Sequence, residues 1–74
     1  MSISDLYIHC DQIDECTVWT INNRNKTIED YDEFEVYDSY CYIPDRILDY
    51  DIRSFSLSGR CNQYGYFDNI TIFF

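Results

Sequence analysis

The sequence predicts an α+β domain, mostly β, in which one short helix accompanies a four- to five-stranded antiparallel sheet. Apolar and polar residues alternate with period two over several short segments, which is typical of half-buried strands. Of the 74 residues, 46% are hydrophobic and 19% are aromatic, with only two Gly and one Pro. This composition favours a folded core over disorder or low complexity. The length fits a single compact domain over residues 1–74.

Two strands are predicted in the N-terminal part of the chain. Residues 3–10 alternate between apolar and polar types, and residues 16–21 (CTVWTI) are rich in β-branched and aromatic side chains. The residues that share the apolar face of the first strand are Leu6, Ile8 and Cys10. The intervening residues 11–15 are polar and turn-like, so the two strands are expected to form a hairpin. Residues 22–26 (NNRNK) form the next turn, since Asn tolerates positive φ.

The middle of the chain predicts a strand followed by the helix. Residues 28–32 are assigned to a loop or a short helical turn. A strand is predicted from Glu33 onward, because Phe34, Val36 and then Tyr40 or Tyr42 alternate with acidic residues. Pro44 then fits the first position of a helix of one or two turns, with the sequence PDRILDYD.

Two further strands complete the predicted sheet. Residues 52–58 place Phe55 and Leu57 on one face, with a possible bulge near the start of the strand. Residues 58–65 contain both glycines and form a turn or loop. The last strand lies within residues 66–74, and its apolar positions are Ile70, Ile72 and Phe74.

The charge is strongly negative and unevenly distributed. Fourteen Asp or Glu against five Lys or Arg give a net charge of −9. Six of the ten residues from 29 to 38 are acidic and none is basic. Solvated faces usually mix both signs, because a concentration of like charge destabilises the fold. The cluster therefore indicates a binding role, with plain solubility as the alternative. Direct nucleic-acid binding is disfavoured, because this charge repels phosphate.

The acidic segment and the residues after it supply the candidate binding residues. On a strand, Glu33 and Glu35 would lie on one face about 6.6 Å apart, roughly twice the 3.4 Å rise per phosphate of one DNA strand. Asp38 would extend this row if the strand bulges. Tyrosines among the acids would add cation–π contacts with arginines of a basic partner. The partner-binding set is Glu29, Asp30, Tyr31, Asp32, Glu33, Glu35, Tyr37, Asp38, Asp45 and Asp49.

Other classes of site find little support. The gaps between Cys10, Cys16, Cys41 and Cys61 do not match those of zinc ligands, so no metal or cofactor is predicted. No secretory signal opens the sequence and no apolar run is long enough to span a membrane. We therefore expect a cytoplasmic protein whose cysteines are reduced and fill the core. His9 is the one histidine, without the signature of a catalytic triad, so no enzyme is predicted.

In length, charge and the segment IEDYDEFEVYD, the chain resembles the small phage-encoded anti-CRISPR and DNA-mimic proteins. This resemblance is one of type and has no aligned motif, so it assigns no role to any residue. It implies a stoichiometric inhibitor in the host cytoplasm that blocks the nucleic-acid groove of a CRISPR effector or another defence nuclease.

Three function hypotheses follow, two of which are binding functions. The first is the DNA-mimic inhibitor, whose partner is a basic nucleic-acid-binding protein. The second is an acidic adaptor or antitoxin-like module that binds a folded partner through tyrosines or a strand edge. The third is a metal or redox module built on the four cysteines. The chain is expected to be a monomer or a homodimer, since an open edge in a small sheet can pair two copies.

Overall fold

The structure, a computed structural model, describes residues 1–22 and 34–74. The predicted turn at 22–26 and the loop at 28–32 therefore lie almost entirely outside the described residues, as does Glu33 at the start of the predicted strand. The described chain is an α+β fold, mostly β, as predicted. Its elements are helix α1 (Ile3–His9), strands β1 (Val18–Asn22) and β2 (Phe34–Tyr37), a 3-10 helix (Tyr40–Tyr42), helix α2 (Asp45–Leu48), and strands β3 (Ser54–Cys61) and β4 (Phe67–Phe73).

The strand predicted over residues 3–10 is wrong, because this segment forms helix α1. The Ser2 hydroxyl accepts a hydrogen bond from the Asp5 backbone N–H at 3.2 Å. The Asp5 carboxylate in turn accepts one from the Ser2 N–H at 3.1 Å. This capping box satisfies two N–H groups at the helix start, and it stabilises a helix where alternation alone indicated a strand.

The spacing of apolar residues in α1 is helical. Ile3 and Leu6, three positions apart, are buried in the core, whereas Ile8 is 71% exposed. Tyr7 and Cys10 pack against the same core. The predicted face of Leu6, Ile8 and Cys10 is therefore replaced by a helical stripe, and the predicted N-terminal hairpin does not form.

The sheet has four strands in the order β2-β1-β4-β3. β1 pairs antiparallel with β2, and β3 pairs antiparallel with β4. The two central strands, β1 and β4, are parallel. The sheet is therefore mixed, whereas a wholly antiparallel sheet was predicted. Parallel neighbours require a long connection between them, and here β2, both later helices and β3 lie between β1 and β4 in the chain.

The core lies between one face of the sheet and the helices. Trp19 and Ile21 of β1 pair with Ile70 and Ile72 of β4, and all four side chains are fully buried. Helix residues cover them from the same side. The buried residues added by the other segments are Ile3, Leu6, Ile13, Ile43 and Ile47. The two most apolar strands therefore take the central positions of the sheet.

The predicted elements of the second half are largely present, but the strand expected to continue to Tyr40 or Tyr42 ends at Tyr37, and Tyr40–Tyr42 form a 3-10 helix. Helix α2 begins directly after Pro44. Phe55 and Leu57 of β3 share a face, paired with Ile72 and Ile70. The irregularity of β3 lies between Ser58 and Cys61, however, and not at its start. No helix in the described ranges is long and apolar enough to cross a membrane.

Candidate functional site

The predicted binding residues that the structure describes are Glu35, Tyr37, Asp38, Asp45 and Asp49. We call the four carboxylates of this set, Glu35, Asp38, Asp45 and Asp49, the acidic surface. The other predicted members, Glu29, Asp30, Tyr31, Asp32 and Glu33, lie outside the described residues.

Glu35 and Tyr37 point toward the helix-covered face of the sheet. They pair with Ile21 and Trp19, whose side chains lie in the core. The neighbouring Val36, by contrast, is 60% exposed on the other face. The apolar residues of this strand therefore point away from the core, and its acid and tyrosine point toward it.

A short hydrogen bond joins the two side chains. The Tyr37 hydroxyl donates to Glu35 Oε2 at 2.6 Å. This bond is the main reason that the pKa of Tyr37 is raised, with burial and the carboxylate charge adding to it. Tyr37 also packs against the core. Glu35 is thus held in one geometry, and Tyr37 is better placed to orient it than to contact a partner alone.

Asp38 follows β2 and is exposed. The pairing of β1 with β2 is regular from Asn22↔Phe34 to Trp19↔Tyr37, without a bulge. Asp38 lies just beyond the end of β2, where the chain bends, so strand alternation no longer sets the direction of its side chain. The pairing thus shows no bulge of the kind that was expected to bring Asp38 into the row of the strand carboxylates.

Asp45 is the first residue of α2, and Asp49 is the residue at which the helix ends. Both are exposed, while Ile47 between them is buried. The backbone of Asp49 is still helical (φ −92°, ψ −5°), so the two positions lie about one turn apart, with Cβ atoms about 6 Å from each other. Repulsion between the two carboxylates is offset in part by the favourable position of Asp45 at the N-terminal end of the helix.

Arg46 lies within this acidic region and is exposed. Its charge acts to lower the pKa of Tyr37, against the larger effects that raise it. Within residues 1–22 and 34–74, the one ion pair joins the N-terminal amine to Asp51 at 3.2 Å. The carboxylates of the acidic surface are thus left without an ion pair in the described chain.

The tyrosines of the described chain differ widely in exposure. Tyr7 and Tyr40 stack on each other beside Trp19, and both pack against the core. Tyr42 and Tyr64 are 68% and 74% exposed. Tyr42 lies between Asp38 and Asp45 in the chain, so it is a candidate contact residue that the predicted set omitted. In the sequence, its position shortly after the acidic segment 29–38 was the signal that could have identified it.

The prediction that the four cysteines fill the core is wrong. Cys16, Cys41 and Cys61 are exposed, and Cys10 is partly buried beside the core. The three exposed cysteines lie where side chains face solvent: Cys16 in a turn, Cys41 in the 3-10 helix, and Cys61 at the irregular end of β3. In the described ranges, no group of three or more His, Cys, Asp or Glu residues is arranged to hold a metal ion.

Comparison with known proteins identifies no relative of this chain. No family model matches it, and no curated protein or solved structure shows a significant match.

Proposed function

We propose that the chain is a stoichiometric protein inhibitor whose acidic surface binds the basic nucleic-acid groove of a nuclease or surveillance complex. A phage anti-CRISPR protein is the specific form of this proposal. The observation that carries it is the set of exposed carboxylates, Asp38, Asp45 and Asp49, that have no ion pair among the described residues.

The electrostatics of the chain support such a partner. A net charge of −9 attracts a groove rich in Lys and Arg and steers association over a distance of about one Debye length. Surface carboxylates that have no ion pair among the described residues can form charge-assisted hydrogen bonds with arginines of a partner. Cations of the partner that lie between Asp45 and Asp49 would relieve the electrostatic repulsion between the two carboxylates.

The spacing of these carboxylates also fits mimicry of a phosphate backbone. Neighbouring positions four apart on a helix have Cβ atoms about 6 Å apart. This is close to twice the 3.4 Å rise per phosphate of a DNA strand. Asp45 and Asp49 would thus occupy the places of alternate phosphates, with Asp38 and Glu35 extending the negative surface from the sheet.

The test is a binding and cleavage assay against a panel of purified CRISPR effector complexes. We expect one of them to bind the chain, lose DNA binding in proportion, and release the chain as salt increases. The double variant Asp45→Asn with Asp49→Asn should weaken binding by about tenfold or more, since two charge-assisted contacts are lost.

The matched control is Asp11→Asn with Glu15→Gln, which removes the same charge from two exposed positions outside the acidic surface. This control should change affinity by less than about threefold, through the long-range field alone. Equal effects of the two double variants would show that affinity depends on the net charge of the chain and not on the acidic surface. Absence of inhibition of every effector would contradict the anti-CRISPR form of the proposal.

The exposed Tyr42 favours a second candidate, a protein adaptor with a tyrosine-centred interface. In that case, Tyr42→Ala would cost more affinity than the loss of both Asp45 and Asp49 charges. Binding would also depend little on salt, because buried aromatic area rather than charge would hold the partner.

A further inference from the structure

Strand β3 forms one edge of the sheet and is its longest strand. Backbone groups on the side away from β4 have no strand partner in the described chain. At the start of β3, the N-terminal segment pairs with the preceding residues, through the Ser2↔Asp51 bridge and the bond from the Ile52 N–H to the Met1 carbonyl. The open edge thus begins at Ser54. Such an edge is a template for another strand.

The open segment, residues 54–58 with the sequence SFSLS, is complementary to itself. Antiparallel pairing of two copies about Ser56 places Phe55 opposite Leu57 of the second copy, and Ser54 opposite its Ser58. The apolar pairs then lie on the helix-covered face, where Phe55 and Leu57 already pair with Ile72 and Ile70. The serines meet on the other face, so the same pattern serves both copies, as an isologous interface requires.

The charges around this edge flank an uncharged central segment, residues 54–58. β3 carries no carboxylate, Arg53 precedes it and Arg60 lies near its end. A basic segment would be repelled here and attracted to the acidic surface instead. A second copy meets this edge with the uncharged residues 54–58, so no charges lie directly opposite each other within the paired segment, and Arg53 and Arg60 of each copy lie beyond its ends.

An apolar groove runs beside the edge strand. It has a volume of about 390 Å³ and lies between the N-terminal segment, α1 and β3. Met1, Leu6, Cys10 and Phe55 form its apolar lining. Met1 is 62% and Phe55 43% exposed in the single chain. A strand added to β3 would extend its helix-side residues over this groove, and Leu57 of the second copy would cover Phe55.

We propose that this edge is a homodimer interface, in which residues 54–58 of two copies pair antiparallel about Ser56. The two four-stranded sheets then form one continuous sheet across the two-fold axis. Gly59 ends the pairing, because its positive φ of 86° and the register shift after Ser58 bend the strand away. The interface is small, so the dimer is expected to be weak, with a dissociation constant in the micromolar range.

Sedimentation equilibrium of the full chain tests the interface. The Ser56→Lys variant places two ammonium groups opposite each other at the two-fold axis, on a side chain that is exposed in the single chain. It should raise the dissociation constant by about fivefold or more. An equimolar mixture of Ser56→Lys and Ser56→Glu chains should form heterodimers more tightly than either variant forms homodimers.

The matched control is Val36→Lys, which adds the same charge to an exposed position on the opposite edge strand, β2. It should leave dimerisation within about twofold, and circular dichroism verifies that each variant is folded. A chain that stays monomeric at the highest concentrations overturns the proposal. So does a dimer that Val36→Lys disrupts and Ser56→Lys does not, which would indicate stacking of the open sheet faces.

Discussion

The rings of Tyr7 and Tyr40 are stacked, with centroids 3.9 Å apart and an angle of 6° between their planes. The indole of Trp19 lies tilted against both rings, at 6.4 and 6.0 Å. This contact joins α1 to the 3-10 helix. Since the chain enters the 3-10 helix from Asp38 and leaves it toward Asp45, the tyrosine pair also fixes the path that connects the parts of the acidic surface.

Removing one ring of this stack should destabilise the whole domain. Tyr40→Ala loses the contacts with Tyr7 and Trp19 and leaves a cavity beside the core, which should lower the free energy of unfolding by about 2–3 kcal/mol. Urea denaturation measures this change. Tyr42→Ala is the control, because its side chain is 68% exposed and its loss should cost under about 0.5 kcal/mol. Similar losses for both variants would show that the stack adds little.

The N-terminal helix shows where local patterns mislead. Residues 3–10 satisfy the alternation of a strand, yet Ser2 and Asp5 also form the sequence signature of a capping box. Both patterns are present in the same few residues, and alternation over so short a segment does not exclude a helix. The cap is the more specific signal, since it defines reciprocal hydrogen bonds at a fixed spacing.

Strand positions were easier to predict than strand partners. The β-branched and aromatic residues around Trp19 and Ile70 identify two strands, because that composition suits a buried, pleated surface. Their parallel pairing depends on contacts between residues about 50 positions apart, which no local pattern records. The bond from Tyr37 to Glu35 was missed for a similar reason, since tertiary packing decides which strand face points to the helices.

The hydrogen bond from Tyr37 to Glu35 gives a testable dependence on pH. The pKa of Tyr37 is raised in the folded chain, so its neutral form stabilises the fold. This contribution is complete below the pKa of tyrosine in the unfolded chain, near 10. It is lost as the pH rises through the higher pKa of the folded chain. Tyr37→Phe should therefore reduce stability by about 1 kcal/mol at pH 8, and the difference from the native chain should vanish at strongly alkaline pH.

Urea denaturation of both chains between pH 8 and pH 11 measures this convergence. Tyr42→Phe, an exposed tyrosine without this bond, corrects for the ionisation of the other phenols. A constant difference between Tyr37→Phe and the native chain across this range would contradict the role of the hydrogen bond, and would assign the loss to packing alone.

The capping box should be visible in the titration of Asp5. Hydrogen bonds from the Ser2 backbone and side chain lower the pKa of this carboxyl group. Ser2→Ala removes the hydroxyl partner, so the pKa of Asp5 should rise toward its ordinary value, as measured by NMR titration. The cap itself should account for a loss of about 1 kcal/mol in unfolding free energy at neutral pH. An unchanged pKa of Asp5 would mean that the backbone bond alone holds the carboxylate.

The two glycines should differ in their tolerance of a side chain, although both have positive φ, 86° at Gly59 and 87° at Gly65. A Cβ at Gly59 would lie 2.9 Å from the Asp68 Cβ, whereas one at Gly65 would meet nothing within 4 Å. Asp68 has little freedom to move, since its carboxylate accepts a hydrogen bond from the Arg60 N–H at 3.0 Å. Gly65→Ala should therefore cost about 1 kcal/mol from backbone strain, and Gly59→Ala about 2–3 kcal/mol from strain and steric overlap together. Thermal and urea denaturation of the two variants distinguish these values, and equal losses would mean that the β3–β4 hairpin moves apart to accept the added methyl group.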